Sequence, residues 1–362
     1  MRVHKEDRAE AIRRVEAWWN HEIIDRAVVR VVAPRGVYPE KEYVGDLERY
    51  FTDPELVIPR IEETLARRYY GGEAFPVELP ISTVAILGSF LGCPIRFTGT
   101  GTIWSDPIID DPRDLPNLDF NPENKWWKAA KHLMECFAQR ADGYHVAHPD
   151  LNGPAEVLAR LRGTQRLALD FVDNPDYIKP AIDRITQAWF RYWEESVQIV
   201  QKTGGYFHWM GIWSDRPSVD LQSDFSCMIS SEMFNEHFLP SIEAQTRMVE
   251  RTMYHLDGPG AIKHLDALLA LPHLDGIQWV RGAGAKPIEH WIPLLRKIQN
   301  AGKLVLTDCE KTSVERLLEE LRPEGLMLQV SCDSIDEAQD LIRRVEGWTR
   351  SQSSQIGRFK NP

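Results

Sequence analysis

The run RTMYHLDGPG places an imidazole at His255 and a carboxylate at Asp257, two residues apart, where a strand-like segment gives way to a helix-like one. An imidazole and a carboxylate at such a junction can work as acid and base, or can hold a divalent cation. The competing explanation is helix-start chemistry, with Asp257 as an N-cap and Pro259 in the first turn. Capping accounts for the carboxylate and not for the imidazole. Zn²⁺ accepts imidazole, carboxylate and thiolate, and a three-ligand set leaves one position open for substrate. Cys332, or Cys309 in its place, is the candidate thiolate beside His255 and Asp257. The commoner fate of a cysteine is a small buried thiol.

Other reactive residues lie just past apolar runs. Asp150 and Asn152 follow YHVAH, Asp215 and Arg216 follow HWMGIW, and Gln222 and Asp224 lie in LQSDFSC. Further along come Trp279 and Arg281, Asp308 and Cys309, then Cys332 and Asp333. Asp224 and Asp150 are expected to orient substrate or shuttle a proton, joining His255 and Asp257 as the catalytic set. Arg35 or Arg281 is expected to hold an anionic substituent, with Tyr38, Asn152, Gln222 and Trp279 completing a substrate site. Asp and Asn also favour such positions as helix caps.

The elements that must position these groups alternate. A helix around 5–20 precedes the β-rich run AVVRVVAP, and a helix near 54–69 precedes apolar strands around 75–82 and 97–104. From residue 143 onward, GYHVAHPD, GYFHWMGIW, RTMYHLD, DGIQWV, KLVLTD and GLMLQVS read as β-like runs, most of them trailed by helical patterns. Thr312 and Glu315 have the spacing of a capping box for one of those helices. A long amphipathic helix stops at Gly204 and Gly205. HLD recurs at His255, His264 and His273, but nine residues on a helix turn through about 900°, so the three cannot converge. Repeated strand-then-helix units imply a parallel sheet covered by helices. With no GxGxxG after the first strand and no GxxxxGK[ST], the expectation is an α/β fold built as a single (β/α)8 barrel. It would span residues 1–350, with an irregular helical and β extension over 1–140 and a tail over 351–362.

Of the chain's 362 residues, 43% are hydrophobic and 27% charged, as in soluble enzymes. The net charge of −11 offers no basic excess to neutralise phosphates, which argues against nucleic-acid partners. The five cysteines, at 93, 136, 227, 309 and 332, include no CxxC pair and read as reduced thiols. The charged N-terminus has no signal-like apolar core, and no window is apolar enough to span a membrane. A soluble, cytoplasmic protein is expected. Most of the twelve tryptophans are expected to be packing residues.

The run SSEMFNEHFLPSIEAQTRMVERTMYHLDG resembles the superfamily that joins uroporphyrinogen decarboxylases with cobalamin-dependent methyltransferases, and DLNGPAEVLARLRG is similar to its Gly-Pro segment. The likeness covers about residues 140 to 345 and implies a (β/α)8 barrel. Where the decarboxylases carry R-Q-A-G-R-Y, this chain reads APRGVYPE and keeps only Arg35 and Tyr38; where they carry a late L-G-H-G, it reads QVSCDS. A polycarboxylate needs several converging cations, so porphyrinogen decarboxylation is not expected. The methyltransferases hold zinc on H-x-C and a later cysteine. Here His255 and Cys332 match, and Asp257 stands in place of the first cysteine. A carboxylate there makes a harder Lewis acid, suited to an ether, amine or alcohol. The chain lacks the D-x-H-x-x-G signature of a corrinoid module, so the resemblance implies a cobamide on a separate corrinoid protein. The expected function is Zn-assisted methyl transfer between a small substrate and that cobamide. The rivals are a metal-free decarboxylase or lyase, with His255 and Asp257 as acid and base, a carbohydrate-active barrel using Asp224 with Asp257, and a barrel that binds without chemistry. A homodimer is compatible with helical outer faces.

Overall fold

β-branched residues on both sides of Arg30 make Val28–Pro34 a strand with two distinct faces, and the rest of the large sheet repeats that division. The computed structural model describes residues 5–38, 43–81, 86–101 and 103–359. Its strands are β1 (Val28–Pro34), β2 (Arg68–Gly72), β3 (Val77–Glu78), β4 (Ile95–Phe97), β5 (Ile103–Ser105), β6 (His145–Val146), β7 (Ser218–Gln222), β8 (Arg251–Asp257), β9 (Gly276–Val280), β10 (Leu304–Asp308) and β11 (Leu326–Ser331). Seven of them form one sheet in the order β2-β1-β11-β10-β9-β8-β7. All its pairings are parallel except that of β1 with β2. β3 and β6 form a separate parallel pair, and β4 with β5 a small antiparallel one. Among the described residues no ladder joins β7 to β6 or β3 to β1, so the hydrogen bonding is that of a large, mostly parallel sheet without closure.

The two faces bury different things. Val29, Val31, Tyr254, Leu256, Ile277, Trp279, Val305, Leu326, Leu328 and Val330 point into the core shared with the helices. Their alternates Val28, Met253, Leu304, Leu306 and Met327 point to the other, inner face. There they meet Phe75, Phe207, Met210 and Ile212, together with Ala11, Val15, Trp18 and Trp19 of the helix Arg8–Trp19. This apolar tier fills the first half of the strands. By the same alternation the second half of the inner face is polar: Arg30, Gln222, His255, Asp257, Gln278, Asp308 and Gln329.

Three local expectations change. GYFHWMGIW is not a regular strand; only the bridge between Tyr206 and Ser214 is β-like, and a turn carries His208 to Gly211 through positive φ at Gly211. The strand lies just after it, in Ser218–Gln222. Thr312 forms no capping box, because a 3-10 turn over Lys311–Ser313 precedes the helix Val314–Glu320 and no side chain caps it. The last helix, Ile335–Phe359, runs on through most of the segment expected as a tail.

Candidate active site

β8 presents Met253, His255 and Asp257 to the inner face, and the short turn Asp224–Met228 after β7 brings Asp224 beside them. One ligand atom from each of Asp224, His255 and Asp257 lies within 4.8 Å of the others. His255 Nδ1 is 2.7 Å from Gln278 Oε1, its ladder neighbour on β9. Because an amide oxygen only accepts, the proton sits on Nδ1 and the lone pair is on Nε2, the tautomer a metal ligand needs. The Trp209 ring meets the imidazole edge to face at 5.0 Å. Asp224 Oδ1 is buried without a hydrogen-bond partner. Burial raises the Asp224 pKa, the charge of His255 opposes that, and the charge of Asp257 adds to it. Asp257 is not a helix cap: Gly258, at φ +61°, takes that position before Pro259, and no side chain caps the turn. One imidazole nitrogen and one oxygen from each of two carboxylates therefore converge. That donor set suits Zn²⁺ or a similar divalent ion with an open position.

Asp150 stands next to this group. Its Oδ1 accepts from the Asn152 backbone N–H at 3.2 Å, from Asn152 Nδ2 at 2.7 Å and from Gln222 Nε2 at 3.1 Å. Asn152 holds φ +57°, a left-handed conformation that Asn tolerates. Gly153 must be glycine, since a Cβ there would lie 1.9 Å from the Gln222 carbonyl oxygen. Burial pushes the Asp150 carboxyl up to about 6, with the charges of Asp224 and Glu156 adding to the effect. Deeper still, Asp220 Oδ1 lies 3.9 Å from His148 Nε2 and 3.8 Å from His208 Nδ1. Burial holds Asp220 well above the carboxylate range, His148 down to about 4, and His208 well below its ordinary value. Burial thus disfavours the charged form of each of the three.

The sheet brings together Asp150, Asn152, Gln222, Asp224, His255 and Asp257, and separates the remaining candidates from them. Trp279 is fully buried on the helix-facing side, 5.0 Å from the Trp291 ring, because it alternates with Gln278. Cys332 and Cys309 share the parity of outward-facing Val330 and Val305 and pack in the helix-side core. Among the described residues neither belongs to the metal-ligand group, and Asp224 takes the third place expected for a thiolate. Arg281 is committed to Glu310 at 3.0 Å and Asp308 at 3.3 Å. Tyr38 lines a separate cavity of about 580 Å³ with Thr64, Arg67, Arg68, Ser331 and Cys332. Arg35 lies next to it, donating to the Arg68 carbonyl at 2.9 Å. Gln278, Asp220, His148 and His208 were not anticipated. The signal for Gln278 and Asp220 is a polar residue inside a run of apolar ones, GIQWV and SVDLQ.

No protein-family model matches the chain, and no curated protein matches it in sequence. Among solved structures, a methyltransferase from Methanosarcina mazei superposes with a TM-score of 0.58 at 13% identity, covering 92% of this chain and 98% of that one. The likeness is one of fold.

Proposed function

We propose that this chain is a methyltransferase that uses a divalent cation, Zn²⁺ by preference, held by Asp224, His255 and Asp257. The observation that carries the reading is the convergence of those three side chains around a tautomer-fixed imidazole. The fold likeness to a methyltransferase supports it. In this reading the six mutually parallel strands of the large sheet and the β3–β6 pair together make an eight-stranded barrel, with the site at the carboxyl ends of its strands. The methyl group passes between a small substrate and a cobamide on a separate corrinoid protein.

A cation so bound supplies Lewis acidity toward the oxygen or nitrogen that gives up or receives the methyl group. The protein's residues do the rest. Gln278 keeps His255 in the ligating tautomer and fixes its ring. Trp209 packs against that ring and keeps water from its edge. Asp150 has Oδ1 committed to three N–H donors, which leaves Oδ2 to give a proton to the leaving heteroatom or take one from the acceptor. A carboxyl raised to about 6 is matched to that exchange near neutral pH.

Metal analysis and zinc titration of purified protein test the claim, alongside methyl transfer from small methylated amines, ethers or alcohols to cob(I)alamin. One equivalent of metal is expected, with both metal and transfer lost in His255→Ala. Protein without stoichiometric metal affinity, or a His255→Ala variant that still transfers methyl groups, overturns it.

A further inference from the structure

Arg30 is a cation in the middle of β1, flanked by Val28-Val29 and Val31-Val32, and it points to the inner face with Val28. Its ladder partner is Gln329, whose partner on the next strand is Asp308. Asp257 occupies the corresponding polar tier of β8. Nη1 donates to the Met210 carbonyl, and Nε is buried without a partner. The residue is half-buried, so part of its surface remains accessible. Burial alone lowers its pKa, to about 10, and no acid offsets that cost; the guanidinium remains charged at neutral pH.

No carboxylate forms an ion pair with it among the described residues. The acids of the inner face are otherwise engaged: Asp308 is held by Arg281, Asp220 lies between two imidazoles, and Asp224 and Asp257 belong to the cation-binding group. An interior charge without a partner is costly, and buried charges are as a rule paired. The turn that touches Arg30 also touches the site. Trp209 packs on His255, and the next residue, Met210, accepts from Arg30. Neighbouring residues of one turn therefore contact both the guanidinium and the imidazole.

We infer that Arg30 recognises an oxyanion on the substrate: the molecule that presents its methyl-bearing heteroatom to Asp224, His255 and Asp257 carries a carboxylate, sulfonate or phosphate at its other end. The substrate class rests on the function proposed above; the anion site itself does not, and it is tested on metal-free protein. Calorimetric titrations with acetate, methanesulfonate and inorganic phosphate, run separately, distinguish the three oxyanions. At least one is expected to bind wild-type protein, at least tenfold more weakly to Arg30→Met, and with intermediate affinity to Arg30→Lys. Arg30→Met is expected to melt no lower than wild type, because it removes an unpaired interior charge. Wild-type protein that binds none of the three, equal binding by Arg30→Met, or an Arg30→Met variant that melts well below wild type and is restored by Arg30→Lys without anion present, overturns the inference. Loss of zinc binding at the other site leaves all these outcomes readable.

Discussion

Arg26 and Arg30 stand four residues apart in one segment, and the protein treats them in opposite ways. Arg26 is bidentate to Glu73, at 2.8 and 2.7 Å, and Glu73 also accepts from the Val29 backbone N–H at 3.0 Å. Arg162 is matched in the same manner by Asp170, at 2.6 Å, with Tyr177 and Asn174 completing that carboxylate's partners. Arg30 has a backbone carbonyl and, among the described residues, no acid. The same contrast holds for acids: Asp170 is fully engaged, whereas Asp224 has a buried oxygen with no donor. Charges whose partners are built in hold the fold together. Those left incomplete gather in the polar tier of the inner face, where a ligand can complete them.

That contrast can be broken at either end. Arg26→Met leaves Glu73 buried without its guanidinium and should cost about 3–5 kcal/mol in urea unfolding, the penalty for breaking an interior pair. A loss as small as that of a surface substitution would erase the distinction between Arg26 and Arg30. Gln278→Ala should leave stability nearly intact and weaken zinc binding roughly 10–100-fold, because it removes the partner that orients His255. Unchanged zinc affinity would make Gln278 a packing residue. The smallest effect concerns pH. The fold raises Asp150 from 3.8 to about 6, so it favours the protonated carboxyl. The stability this contributes is complete below about pH 4 and is lost as pH rises through about 6. Thermal melts of metal-free wild type and Asp150→Asn across pH 4–7 should show a smaller decline in the variant. Parallel curves would mean that Asp150 is ionised throughout.

The later strands were legible because their apolar runs are short, punctuated and followed by helical periodicity; RTMYHLD, KLVLTD and GLMLQVS all fall where they were expected. The site was legible in part, because His255, Asp257, Asp224 and Asp150 lie at or just past strand ends. The cysteines misled because both faces of these strands are apolar near their starts. Sequence alone does not say whether Leu326, Leu328 and Val330 or their alternates face the helices, and Cys332 follows the first set. Gln278, Asp220 and Arg30 were hidden for the opposite reason. They lie inside strands, where attention to strand ends passes over a lone polar residue that the inner face had room for.

The tripeptide His208-Trp209-Met210 makes three attachments in a row: to Asp220, to the His255 ring and to the Arg30 head group. Consecutive backbone units leave few rotations with which to satisfy all three separately. A single short piece of backbone is thus the common mounting for a carboxyl, an imidazole and a guanidinium, and a substitution that displaced it would disturb all three.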